Sequence, residues 1–442
     1  LTLAAHDLGP LSEPPHWERF PRLSRLVLRH WMWSDAHHVE TLRAMFSEPL
    51  PSLREVVAAS CVDFTAAVWA VVLAAAPRVT AVTLPDKWVP PPGEDLAMLA
   101  TIGALAPRLE ELRADAWLIG EPAAALIAGT MPALRSLHVH AATAGGGPAG
   151  AVWAALPCAR LTALRFHAAS LPLAPPEGCV WPQLRDLSGV PLPAERMGDV
   201  ARSLPNLERL AAQPDGDGWH EVEAVLPHVT WARLSCCCPS FSRGARLARL
   251  LPAVERLEWD GGRAPILCDF SGLARVTRLE LSARAGGRAV AASPRVWDAL
   301  ASLTQLRHLA LDMGSTQLPA LRQLPPGLEA VRLTVGLLPR NLGGQLLLDP
   351  SHPGFVVFDL SQVLTAAATI PGRPRVLRVD APGARASHVD LARMIGSGVA
   401  AAADELQLLR PALGLCEAAV LAALPRLRTL RVAAPARNAQ AT

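Results

Sequence analysis

A chain of 442 residues exceeds the size at which one hydrophobic core usually stops growing, so several domains or a repeat array are expected. Hydrophobic residues make up 51% of it, which excludes a disordered chain, and 42 basic against 39 acidic side chains leave a net charge of +3, too small to mark a nucleic-acid or anionic-membrane surface. Tyr is absent and Lys87 is the only lysine, a skew that fits either a coding sequence rich in G+C or a surface selected to lack ubiquitin-accepting lysines.

Residues 1–20 read as an N-terminal lead or cap, with no signal peptide, and Leu1 in place of an initiator Met leaves room for an upstream segment. From Leu23 a phrase recurs, Leu-x-x-Leu-x-Leu, often with Pro two residues before it. It opens at Leu23, Leu53, Val79, Leu109, Leu134, Leu161, Leu184, Leu207, Val229, Val254, Val276, Leu306, Leu328, Phe355, Val376, Leu406 and Leu427. The spacing averages about 25 residues over 21–434, which makes about seventeen irregular repeats. The phrase is degenerate at Phe355-Phe358-Leu360 and weakens at Gly189, Ala381 and Pro411.

The segments between phrases are rich in Ala and Leu, with apolar residues three to four apart, and predict helices over Thr65–Ala76, Glu94–Ala106, Glu121–Met131, Ala194–Leu204, Ser242–Leu251, Pro294–Leu303, His388–Ala403 and Cys416–Leu424. Many run into a proline that cannot continue a helix, such as Pro77, Pro107, Pro132, Pro205 and Pro252. Each unit is therefore strand, loop, helix, loop. One unit cannot bury its own apolar face, so the units must stack, pairing their strands in parallel with helices on one side. Residues 435–442 read as a polar tail.

The cysteines are scattered, with no C-x-x-C pair, and fit reduced buried thiols in an intracellular protein, cytoplasmic or nuclear. Cys236-Cys237-Cys238 is a poor metal site because adjacent residues of an extended chain point to opposite sides. No nucleotide-binding, nucleophile-elbow or zinc-protease motif is present. Gly145-Gly146-Gly147 lacks the Lys and the spacing of a phosphate loop and reads as a turn. His140 and His167 hold the seventh position of neighbouring phrases and read either as solvated imidazoles or as a metal pair. No catalytic group, metal or cofactor is expected, and no membrane insertion, since the longest apolar run, Ala66–Ala76, is too short to span a bilayer.

The phrases make the chain resemble the leucine-rich-repeat family, within it the ribonuclease-inhibitor-like and F-box-associated branch. The resemblance implies a curved α/β solenoid with a parallel sheet on the concave face and helices on the convex face. It also implies a binding protein, one role within that branch being the substrate-reading part of an F-box-type ubiquitin-ligase adaptor. The family's Asn or Cys eight residues after the first Leu is matched at Cys61 and Cys237 but not at Trp31, Lys87, Trp117, Ala142, Asp215 or Gly262. The alternative role is a structural or scaffold subunit of a larger assembly.

Strand alternation sends the third, fifth and seventh residues of each phrase to the concave face. The third and fifth hold Arg25, Arg113, Arg165, Arg209, Arg233, Arg256, Arg278, Arg332, Arg378, Arg410 and Arg431, with seven acids among them, so charge is concentrated there relative to the chain's 18%. Either this is simply the wet face of a sheet or it binds a partner protein. The expected binding patch is Arg209, Trp231, Arg233, Arg256 and Arg278. Trp231 either stands out of this face as a contact or is turned into the core by a bulge at the weak Ala232.

Overall fold

The computed structural model describes residues 2–4, 20–29, 36–62, 64–86, 91, 93–142, 151–166, 178–215, 219–235, 246–260, 270–282, 284–285, 288–289, 294–313, 315–335, 358–359, 365–372, 374, 376–380, 384–385, 405–409, 419, 422–423 and 427–433. The chain divides into two compact units, Leu1–Ala212 and Gln213–Thr442.

In the first unit the strands are β1 (Thr2–Ala4), β2 (Arg25–Arg29), β3 (Glu55–Ala59), β4 (Ala81–Thr83), β5 (Glu111–Ile119), β6 (Ser136–Ala142), β7 (Ala163–Phe166) and β8 (Asp186–Pro193), and β9 (Arg209–Asp215) begins there. From β1 to β8 each strand pairs in parallel with the next. The middle apolar residue of every phrase lies opposite its counterpart, in the series Leu26, Val56, Val82, Leu112, Leu137, Leu164 and Leu187. All seven are buried, as parallel strands covered on that side require. The rungs share one device. A carbonyl at the second phrase position accepts two N–H groups from the next repeat, as when Thr80 O takes Glu110 N at 2.7 Å and Glu111 N at 2.9 Å. A carbonyl has the two lone pairs this needs.

Between the strands run α1 (Ala36–Met45), α2 (Ala66–Ala75), α3 (Glu94–Leu105), α4 (Glu121–Thr130), α5 (Ala151–Ala155) and α6 (Met197–Ser203). Helices α2, α3, α4 and α6 each stop two residues before a proline, because the residue preceding proline is driven out of the helical region. Val68, Trp69, Val72 and Leu73 of α2 and Met98, Leu99 and Ile102 of α3 are buried with the inward strand residues, so the core is the layer between sheet and helices. Trp153 and Trp181 fill it edge to face, their ring centroids 5.2 Å apart.

The weak phrase at Gly189 has a local cause. Gly189 has φ +76°, and a Cβ there would lie 1.7 Å from the carbonyl oxygen of Phe166 on β7. A side chain at this position would meet backbone, so only glycine fits the phrase here.

The second unit is built the same way on β10 (Trp231–Ser235), β11 (Arg256–Asp260), β12 (Arg278–Ser282), β15 (His308–Met313), β16 (Ala330–Val335), β18 (Val376–Asp380), β20 (Glu405–Leu409) and β21 (Thr429–Ala433), paired in parallel in that order. A small antiparallel hairpin, β13 (Arg284–Ala285) with β14 (Arg288–Ala289), follows β12. The described helices are α7 (Leu247–Leu250), α8 (Pro294–Ala301) and a 3-10 segment at Ser315–Gln323. The helix expected at His388–Ala403 lies outside the described residues, as does most of that at Cys416–Leu424. Ala232, Leu257, Leu279, Leu309, Val331 and Leu377 form the buried middle row.

Three phrases take a different register from the one their sequence suggests. β16 pairs directly with β18, while β17 (Phe358–Asp359) pairs with β19 (Ala384–Arg385), so the degenerate Phe355 phrase is not a rung of the ladder. Val331 lies opposite Leu377 rather than Val379, a shift of two residues. Leu406 lies opposite Val379 on β18 and opposite Leu430 on β21, so it continues the apolar rows of both neighbours and does not open its phrase. In both units one parallel strand per repeat backs onto a helical layer, the architecture of an α/β leucine-rich-repeat solenoid.

Candidate functional site

The open face of the second unit is a set of columns fixed by register. One column runs Trp231, Arg256, Arg278, His308, Ala330, Val376; the next runs Arg233, Glu258, Glu280, Ala310, Arg332, Arg378, Glu405. β10 has no bulge: Ala232 and Leu234 are buried, Trp231 is half-buried and Arg233 exposed. The indole therefore lies on the open face, and the reading that turned it into the core is excluded.

Trp231 is fastened where it stands. Its Nε1–H donates to Glu258 Oε1 at 3.2 Å. Glu258 also meets Arg256 at 2.6 Å and Arg233 at 3.9 Å. Arg256 reaches on to Glu280 at 3.3 Å, and Arg278 closes the chain on Glu280 at 2.8 Å. Directly across the strands, like faces like: Arg256 opposes Arg278 and Glu258 opposes Glu280. Such pairs are unfavourable by themselves. The diagonal Arg–Glu contacts turn them into one alternating network, so four of the five residues expected at this patch, Trp231, Arg233, Arg256 and Arg278, are brought together around two carboxylates.

Arg209, the fifth, belongs to the first unit, where it stands 3.9 Å from Asp186. Asp186 also takes Arg165 at 2.6 Å. The same face holds a residue the sequence reading passed over, His138. It is 8% exposed and lies in register between Arg113 and Arg165. Its Nε2 is 3.1 Å from Ser136 Oγ and 3.8 Å from Glu111. Burial, and then the guanidiniums of Arg165 and Arg113, hold the imidazole below its ordinary value of 6.5 against the pull of Glu111 and Asp115. The available signal was a histidine at the fifth phrase position between two repeats with arginine there.

Of the pair His140 and His167, His167 lies outside the described residues, as do Cys236–Cys238 and Gly145–Gly147. Among the described residues no group of three or more His, Cys, Asp or Glu is placed to hold a metal ion, and no helix is long and apolar enough to cross a membrane.

Neither a protein-family model nor a curated protein matches the chain. Among solved structures it is similar to TLR13 in a complex with ssRNA13, at 12% identity and a TM-score of 0.45, over 93% of this chain and 49% of that one. It is also similar to a leucine-rich-repeat protein of Leptospira interrogans, at 13% identity and a TM-score of 0.25, over 69% of this chain and 94% of that one. The chain thus spans about half the length of the TLR13 chain it matches.

Proposed function

We propose that this chain is a non-catalytic recognition protein, and that the open sheet face around Trp231, Arg233, Arg256 and Arg278 binds a partner protein. The observation that supports this is the Trp231 indole, half-buried on the open side of a strand and tied at its Nε1 to Glu258, 3.2 Å away. Tryptophan and arginine are the residues most enriched among interface hot spots. Side chains already held in one geometry lose little freedom on binding, so more of the contact energy appears as affinity. Arg209, on the first unit, is proposed as a contact in its own right beside Asp186. The finer reading, the substrate-reading part of an F-box-type ubiquitin-ligase adaptor, rests on the family resemblance of the phrases.

Affinity purification of the chain, with identification of what it retains, tests the reading. Trp231→Ala is expected to weaken capture of the retained protein by at least about tenfold, a loss of about 1.4 kcal/mol, with the fold intact by circular dichroism. Unchanged capture by this variant overturns the assignment of the face. A fixed set of large partners retained regardless of Trp231 identifies a scaffold subunit instead.

A further inference from the structure

The three cysteines described in the first unit do not share one environment. Cys61 is buried, its Sγ 3.4 Å from the carbonyl oxygen of Leu28. Cys158 and Cys179 are only half-buried. They sit in the turns that lead into β7 and β8. Those strands pair in register, Ala163 opposite Asp186 and Leu164 opposite Leu187, so the two turns lie side by side at the same edge of neighbouring repeats.

Both turns are anchored. Cys158 donates its backbone N–H to the carbonyl of Leu156 at 2.8 Å, and Leu156 is buried. Two residues after Cys179 comes Trp181, wholly buried, whose backbone N–H donates to Ser203 O at 2.8 Å. Its ring meets that of Trp153, on the helix just before Cys158, with centroids 5.2 Å apart. With the turns held in this way the two thiols interact: burial, and then the Cys158 thiol beside it, push the Cys179 thiol above its ordinary value of 9.0. Solvent reaches the pair, since Gly178 and Val180, on either side of Cys179, are both exposed.

From this placement we infer that Cys158 and Cys179 are a dithiol that closes reversibly to a disulfide, a covalent clasp between two neighbouring repeats. The oxidant is a low-molecular-weight disulfide such as oxidised glutathione. One cysteine, as thiolate, attacks a sulfur of that disulfide, releases one small thiol and is left in a mixed disulfide. The second cysteine loses its proton, attacks the protein sulfur of the mixed disulfide and displaces the other small thiol. The two protein sulfurs are oxidised, the small disulfide is reduced to two thiols, and the two protons from the protein end on them. The bond closes the chain between the two turns into a loop and so restricts the unfolded state more than the folded one. The clasp is independent of the recognition role proposed for the open face.

The test uses the full chain, fully reduced and then equilibrated in glutathione buffers of increasing oxidised fraction, with the remaining thiols blocked before digestion. Trypsin releases Cys158 and Cys179 on separate peptides, 136–160 and 166–185, each with no other cysteine. Mass spectrometry is expected to recover these two peptides joined, at least about tenfold more often than either is joined to any other cysteine, and to find them apart after reduction. The oxidised chain should melt about 2–5 °C above the reduced one. Cys158→Ser and Cys179→Ser are each expected to abolish both the joined peptides and the difference in melting, with circular dichroism like that of the reduced parent. Both cysteines recovered with glutathione attached but not joined overturn the inference, as does preferred joining of either to another cysteine, or an oxidised chain that melts with the reduced one. The mapping is made on the unaltered chain, so it decides the question even where a variant does not fold.

Discussion

The Trp231 indole donates its Nε1–H to a carboxylate on the adjacent strand, Glu258, which is itself held 2.6 Å from Arg256. Glu258 thus accepts from the indole and pairs with two guanidiniums, with its side chain 17% exposed. Glu258→Ala is expected to lower stability by about 1–3 kcal/mol, the usual worth of a hydrogen-bonded charge in a partly buried site. Glu258→Gln, which keeps the acceptor for Trp231 but not the charge, should lose less. Chemical denaturation of the three proteins checks the order; equal midpoints would show that Glu258 holds nothing in place.

The buried row of the second unit sets a second expectation. Leu257 and Leu279 are opposite each other and fully buried. An aspartate at either position buries an uncompensated carboxylate and should cost several kcal/mol. Hydrogen exchange should show protection lost first at β11 and β12, where the change sits. A variant that melts with the parent would mean that the strand register is wrong.

At Gly189 the expectation is steric. Gly189→Ala places a methyl group against the Phe166 carbonyl on a backbone with φ +76°. The neighbour is backbone and cannot swing aside, so the change should cost about 1–3 kcal/mol or more, measured as a fall in denaturation midpoint. Gly129, with open space around its Cβ position, is the control: Gly129→Ala inside α4 should be neutral or slightly stabilising.

His138 makes stability depend on pH. Its folded value lies below 6.5, so in the acid range the unfolded chain binds a proton that the folded chain refuses. Stability then rises with pH wherever the unfolded state is the more protonated. The contribution is complete above pH 6.5 and declines as pH falls below it, until the folded imidazole itself protonates. His138→Asn should flatten the stability profile in the region below pH 6.5 where the histidine contributes, while leaving its carboxylate-dependent acid limb in place. An unaltered slope in that window would show that the histidine titrates normally.

Most strands were legible because a buried row has no tolerance for polar residues, which makes Leu112, Leu137, Leu257 and Leu279 visible as a period. The misread registers fall where apolar residues crowd. Val376, Leu377 and Val379, and likewise Leu406, Leu408 and Leu409, each offer more than one way to place the phrase. Periodicity alone does not choose between slips in such runs, and the pairing partners do. The charged patch was legible as residue types at phrase positions, and its diagonal contacts were not, because they depend on which rotamers reach across strands. His138 went unnoticed because it is signalled by a change between neighbouring repeats, a histidine among arginines. Counting charge over the whole array averages such changes away.

The columns of the second unit also act as a ruler. Their side chains recur at the strand spacing of about 4.8 Å, whereas an extended chain laid across them presents same-side residues about every 6.7 Å. The mismatch grows by about 2 Å per rung, so an extended partner falls out of step after one or two strands. A helix repeats every 5.4 Å and drifts by only about 0.6 Å per rung. A partner that touches Trp231, Arg256 and Arg278 in succession has to meet them with a helix or an irregular loop, and an extended segment is restricted to one or two neighbouring rungs.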